Sequence, residues 1–335
     1  MHVGKSYKLS EFLLWTRRNI FWLLIIGIIP TVLYQKFHFK WLAIPWSVVA
    51  LLGTATAFIV GFKNIQTYNR TWEARQIWGA CMSSSRAWAR MCIDFLNNKQ
   101  KSKDLIYLHF AWLTALRYQL RINKGWETTN KRYNKVHKKY FSIPEQETPL
   151  EEELAKYLSS EELKYILTTK NRAAQLISLQ ASTVKKLYDD GLIDDIKFSD
   201  MHKSVREFFD HQGRSERIKN FPFPRQYATI TALFVKLFCL LLPFGMLGEF
   251  EKLNNGSMGF LNGRMVWLVI PFSVLISWVF TSLEQVGEST ENPFEGNAND
   301  VPISQMSRTV EIDMREMLGE NDLPEALQPQ NNIVL

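Results

Sequence analysis

The sequence predicts an all-α membrane protein with four transmembrane helices and a large helical cytosolic region. Three observations carry that reading. Apolar residues are bunched into four nearly charge-free runs, the long stretch between the second and third runs is polar with helical spacing, and basic residues crowd the segments beside the runs. Over the whole chain this is hidden, because 46% hydrophobic content in 335 residues would also suit a soluble protein.

The first run, 20–34 (IFWLLIIGIIPTVLY), is short, but Phe12, Leu13, Leu14 and Trp15 extend it toward the interface. The second, 41–62, the third, 228–248, and the fourth, 265–283, each approach the roughly 20 residues that cross a bilayer core; Lys236 lies inside the third. The alternative, buried core helices of a soluble protein, must place four such runs in one core. Lys5, Lys8, Arg17 and Arg18 precede the first run, as in a secretory signal. No small-x-small cleavage site follows and the second run comes almost at once, so the first is expected to be a retained span. Basic segments face the cytoplasm. The N-terminus is therefore expected inside, 35–40 outside, 63–222 inside, 249–264 outside and the tail from 284 inside. The expected product is a multi-pass protein of the cell (inner) membrane with both termini cytoplasmic. Its regions are 1–63, 64–222, 223–283 and 284–335.

In the middle region, 101–120 and 159–191 repeat apolar residues every three or four positions, the helical period. Ser159 with Glu162 forms a capping-box pattern and Gly191 a helix stop. Residues 121–150 read as a loop, and the tail after Pro324 as disordered. There is no strand alternation and no internal repeat.

Several function classes find no support. The net charge of +7 is modest and belongs to membrane-flanking loops, so no nucleic-acid partner is expected. Cys81, Cys92 and Cys239 form neither a CxxC pair nor a disulfide framework. No phosphate-loop, dinucleotide, zinc-protease or serine-hydrolase motif occurs, and His109, His137, His202 and His211 lack ligand spacing. Glu151, Glu152 and Glu153 read as a solvated helix start. Neither catalysis, a metal nor a cofactor is expected.

The stretch 57–79 (AFIVGFKNIQTYNRTWEARQIWG) passes from apolar to charged without a turn signal. Thr54, Phe58 and Phe62 follow one another at four-residue spacing and so share a helix face, continued by Gln66, Asn69, Arg70 and Glu73. Such a face lines a pore or packs against lipid or core; the spacing fits both.

Three ordered motifs resemble the bestrophin family over about residues 10–310. In GFKNIQTYNRTWEARQIWG the matching positions are Tyr68, Arg70, Glu73, Arg75, Trp78 and Gly79. ENPFEGNANDVP (291–302) and FPFPRQYATITALFVKLFCLLLPFGM (221–246) are the others. The resemblance implies a homopentameric ion channel in which the chain partners itself, membrane lipid and monovalent ions. It places a membrane neck at Thr54, Phe58 and Phe62, and a cytosolic aperture at Ile196 by ungapped matching from Gly213 and Pro224. Apolar rings of this kind gate by dewetting. Phenyl edges tolerate anions while ring faces attract cations.

Departures matter. Thr54 replaces an aliphatic residue and should make its ring wetter; Thr71 stands where an aromatic is usual. Glu295, Gly296, Asn297, Ala298, Asn299 and Asp300 replace the acidic cluster of a calcium clasp, and with Asn292 they supply few ligands. No calcium activation is expected. Tyr68, Arg70, Glu73, Arg75 and Trp78 are assigned to packing, the charged members as buried ion pairs between subunits. Chloride or other anions are slightly favoured. Asp189, Asp190, Asp194 and Asp195, as a cytosolic mouth, would favour sodium or other cations, or are simply helix-end charges. A non-conducting four-span scaffold or sensor is the remaining reading.

Overall fold

Helices provide almost all the regular structure in the computed structural model, which describes residues 1–129, 131–256 and 263–335; the side chains of 132, 136, 137, 139 and 255 also lie outside the described set. The expectations for His137 and for much of the segment 249–264 therefore fall outside the described residues. In chain order the helices are α1 (Leu9–Lys36), α2 (Trp46–Phe95), α3 (Lys99–Arg121), α4 (Arg132–His137), α5 (Pro144–Glu147), α6 (Leu150–Leu154), α7 (Ser160–Thr168), α8 (Arg172–Asp189), α9 (Asp195–Asn220), α10 (Arg225–Lys252), α11 (Val269–Ser289) and α12 (Ile303–Met317).

The chain divides into two units, one comprising Lys5–Asn69 and Phe223–Glu291 and the other Met1–Gly4, Arg70–Pro222 and Asn292–Leu335. The first unit holds four helices long and apolar enough to span a bilayer, each containing one predicted run. In it α1 packs on α10 and α11, and α10 on α11. Small residues allow the close approach that helices in lipid need. A Cβ on Gly53 would lie 2.7 Å from the Phe238 ring, and one on Gly245 2.6 Å from Val49. Polar contacts add direction: Trp278 Nε1 donates to Thr16 Oγ1 at 2.9 Å, and Asn19 to Gln285 at 3.0 Å. The turn after α1 exposes Phe37, Phe39 and Trp41 in succession, with ring centroids 6.2 and 6.4 Å apart, as in an interfacial aromatic belt. Lys40 and Tyr34 both bond Glu251, tying that turn to the end of α10.

In the second unit α3 is the central helix, packed by α6, α8, α9 and α12 and buried along most of its length. Its register is fixed by Asn98, whose side chain accepts from the backbone N–H groups of Gln100 and Lys101. Trp88, His109, Trp112 and Phe208 interlock at the centre, with His109 4.6 Å and Trp112 5.1 Å from Phe208 between centroids. The segment 159–191 forms two helices where one periodic stretch was expected. Thr169 is extended, and Asn171 accepts from the Ala174 N–H and starts α8. Ser159 and Glu162 do form the reciprocal cap, and Gly191, at φ 69°, follows α8. Residues 121–150, expected as a loop, contain the short helices α4 and α5.

The expected disordered tail is corrected. Pro324–Gln330 is irregular, but Ile333, Val334 and Leu335 are buried, and Ile333 and Leu335 join Phe141 and Ile143 in an apolar cluster. The backbone of Ile333 pairs with His2, and Gln305 N–H donates to the Leu335 carbonyl at 2.7 Å.

His109 supplies a pH test. Its Nε2 lies 2.8 Å from Ser85 Oγ, and burial, opposed by the Gln180 hydrogen bond, pulls its pKa down to about 3. The unfolded chain takes up this proton below about 6.5 while the folded chain does not. Stability is therefore full above about 6.5 and falls toward about 3, by about 1.4 kcal/mol per pH unit. His109→Gln should show a shallower loss over that range in chemical unfolding of the detergent-purified protein; parallel slopes would contradict it.

Candidate functional site

The site is built on the two faces of α2. Gly53, Thr56, Val60, Lys63, Thr67, Thr71 and Ala74 are buried, at spacings of three and four. Thr54, Phe58 and Phe62 lie on the opposite side, and Phe58 is 76% and Phe62 49% exposed. The Phe62 ring lies 5.9 Å from that of Tyr227 between centroids. Thr54 Oγ1 donates to its own helix carbonyl at Ala50, 3.0 Å away, so its hydroxyl proton is already used.

Rotation of α2 is fixed by polar contacts with α11. Lys63, only 2% exposed, pairs with Glu284 at 3.1 Å, and Asn64 Nδ2 donates to the Leu283 carbonyl at 3.1 Å. Thr290 Oγ1 donates to Thr67 Oγ1 at 3.1 Å. A Cβ on Gly287 would fall 2.1 Å from Asn64 Oδ1, so the absent side chain leaves room for that amide. The sequence reading did not single out Lys63, Asn64, Glu284 or Gly287. The available signal was a cation at the end of one apolar run and an acid just after another.

The signature residues are differently employed. Arg70 Nη2 donates to the carbonyls of Ile218 and Phe221, which end α9, where a cation also suits the helix dipole. Glu73 pairs with Arg217, at the surface of the same chain. Trp78 is buried and Tyr68 is 59% exposed. Arg75 is exposed and makes no ion pair among the described residues. Within one chain Arg70 and Glu73 thus serve the end of α9, through its terminal carbonyls and Arg217; ion pairing between subunits stays an expectation.

Ile196, in the first turn of α9, is 75% exposed. The neighbouring acids are exposed but engaged: Asp189 pairs with Lys185, Asp190 with Lys101 at 3.8 Å, Asp194 accepts from the Lys197 N–H at 2.9 Å, and Asp195 accepts from Tyr188 at 2.6 Å.

The segment after Phe294 is buried. Glu295 accepts from Thr128 N–H at 2.8 Å, from Thr128 Oγ1 at 2.5 Å and from Asn297. Asp300 accepts from Gly296 N–H at 2.7 Å and faces Arg121 at 3.6 Å. Gly296 is required here: its φ is 88°, and a Cβ would sit 2.9 Å from Ile143. Burial, with Asp300 adding, pushes the Glu295 carboxyl up to about 8; burial also raises Asp300, against the pull of Arg121. Among the described residues no cluster of three or more His, Cys, Asp or Glu could hold a metal ion.

Four apolar helices, a polar-locked span and a large helical region define a multi-pass membrane protein. The family described as "Bacterial/Fungal Bestrophin protein" matches residues 16–316, and the chain belongs to the bestrophin family, a class of channels and not of enzymes. It is similar to the voltage-dependent anion channel-forming protein YneE of Escherichia coli K12, 27% identical over 94% of this chain and 89% of that one. The Salmonella typhi protein of the same name is 28% identical over 91% and 86%. A crystal structure of a bacterial bestrophin homolog from Klebsiella pneumoniae has the same fold, with a TM-score of 0.76 and 24% identity over 91% and 99% of the two chains.

Arg70→Met should destabilise the protein by about 1–2 kcal/mol, because it removes two hydrogen bonds to the carbonyls that end α9. Arg75→Ala should change stability by less than about 0.5 kcal/mol. Urea unfolding of both variants, monitored by tryptophan fluorescence, checks the contrast; equal losses would remove the capping role.

Proposed function

We propose that the chain forms a homopentameric channel that passes monovalent ions passively, with anions slightly favoured. In this reading Thr54, Phe58 and Phe62 of five copies face a common axis as the neck, and Ile196 rings a second constriction. The carrying observation is the exposure of Phe58 and Phe62 on the face of α2 turned away from its polar-locked side. A lipid-facing strip needs no such lock, whereas a pore-lining strip must be held in rotation. The names of the YneE relatives, as anion channel-forming proteins, agree with this reading. Apolar rings exclude water when narrow and pass hydrated ions when slightly widened, so the two constrictions act as gates. Placement in the inner membrane, with both termini cytoplasmic, completes the proposal.

The exposed acids around Ile196 favour a second reading, cation conduction by the same assembly. Calcium should have no effect on either, since both oxygens of Glu295 and Oδ2 of Asp300 are committed to internal donors, and no cluster of three or more His, Cys, Asp or Glu among the described residues could hold the ion.

Reconstitution of the purified protein into liposomes tests this. Single-channel steps are expected, with a reversal potential in asymmetric KCl displaced toward that of chloride. Phe62→Ala and Ile196→Ala should each change conductance or open probability while light scattering still reports a pentamer. Silence across salts would favour a non-conducting scaffold, and wild-type currents in both variants would remove the assigned constrictions.

A further inference from the structure

A cavity of about 170 Å³ lies within the second unit between α3, α5, α6 and α12, with Leu327 at its edge. Its size compares with an apolar cavity of about 150 Å³ that accommodates benzene. This one is not apolar. Arg117 and Arg308 line it together with Glu147, Glu153 and Glu311, and Tyr118 and Tyr157 contribute aromatic walls.

The charged groups are unevenly satisfied. Glu311 is fully used, accepting from Tyr157 at 3.0 Å and pairing with Arg308 at 3.3 Å and Arg315 at 2.9 Å. Arg117 is not. Its Nη1 donates to Glu145 Oε1 at 2.6 Å, yet its Nε, on a residue only 8% exposed, has no protein partner. A buried guanidinium N–H without an acceptor is costly, and a carboxylate is the acceptor that fits its planar fork. Glu147, exposed and also lining the cavity, has no ion-pair partner among the described residues. Among the described residues Glu153 pairs with the largely exposed Lys156.

A purely anionic ligand would meet Glu147 and Glu153, and a purely cationic one would meet Arg117. We propose that the cavity binds a small zwitterion of the α-amino-acid class, its carboxylate held by Arg117 and its ammonium by Glu147 and Glu153. Ser304, 1% exposed, donates to the same Glu145 oxygen that holds Arg117, at 2.6 Å, so the guanidinium is fixed before the ligand arrives. The proposal does not rest on ion conduction.

The test is calorimetric titration of the full chain in detergent with L-asparagine and L-threonine, and with acetate and methylammonium as the two halves. At least one amino acid should bind, with each half weaker by about tenfold or more. Glu147→Gln, at an exposed position, should weaken the amino acid by about fivefold or more. Ser307→Phe, which fills the cavity from α12, should abolish binding; should that variant fail to fold, Glu147→Gln decides alone. Absence of heat with both amino acids overturns the proposal, as does acetate binding equally well or Glu147→Gln binding like wild type. Because the readout is heat and not current, a silent channel leaves the result intact.

Discussion

One helix must keep a single face buried while its surroundings change, and the rest of the structure follows from that constraint. Over α2 the buried positions advance by threes and fours, close to the 3.5-residue period that holds a seam in place along a long helix. The forces along the seam are not the same throughout. Between apolar spans there is little hydrophobic gain, since lipid is as apolar as leucine, and contact depends on small residues and hydrogen bonds. That is where Gly53, Lys63, Asn64 and Thr67 stand. Further along, the seam consists of Ile77, Trp78, Cys81 and Trp88, which belong to the main apolar cluster of the second unit. There removal from water supplies the drive.

The second unit contains a polar centre beside this apolar one. Arg117 and Arg121, four residues apart at the end of α3, meet the two oxygens of Glu145, at 2.6 and 3.5 Å, and Ser304 at the start of α12 donates to the first. Arg121 in the last turn of α3 complements its dipole, and Arg121 and Arg117 hold the buried Glu145 carboxyl below its ordinary range despite the opposing effect of burial. Removing Glu145 would leave the buried Arg117 without its carboxylate and Arg121 with Asp300 alone, a loss larger than the pair itself contributes. The short helix α5 therefore owes its position to charge and not to its own propensity, since four residues cannot hold a helix alone.

Much of this was legible in the sequence, and the reasons differ by feature. The four spans follow from bunched apolar residues, and the family from three ordered motifs. The cap at Ser159 is local chemistry. Tertiary partners left weaker traces. Nothing in the spacing of Arg70 and Glu73 reveals that their partners are the α9 end and Arg217, more than a hundred positions later. The break at Thr169 and Asn171 was hidden because the apolar period continues through it. The order of residues 333–335 was hidden for the opposite reason: three apolar residues are too short a pattern to announce burial, yet a groove containing Phe141 and Ile143 receives them.

In the proposed channel the sign of the permeating ion turns on how the exposed charges are used. Around Ile196 the four aspartates look like a cation-attracting mouth when counted along the chain. Each is in fact engaged, two with lysines, one as the α9 cap and one with a tyrosine hydroxyl. Lysines beside acids cancel much of their field within a screening length of about 10 Å. What remains is smaller than a bare acidic ring would give. At the proposed neck the Thr54 proton is directed to Ala50, so this hydroxyl offers no strong donor to an anion and only lone pairs to a cation. The two phenyl rings below it must then dominate, edge toward the axis for anions and face toward it for cations. Anion preference in the proposed assembly therefore requires Phe58 and Phe62 to present their edges, and the contact of Phe62 with Tyr227 is an interaction that constrains that angle.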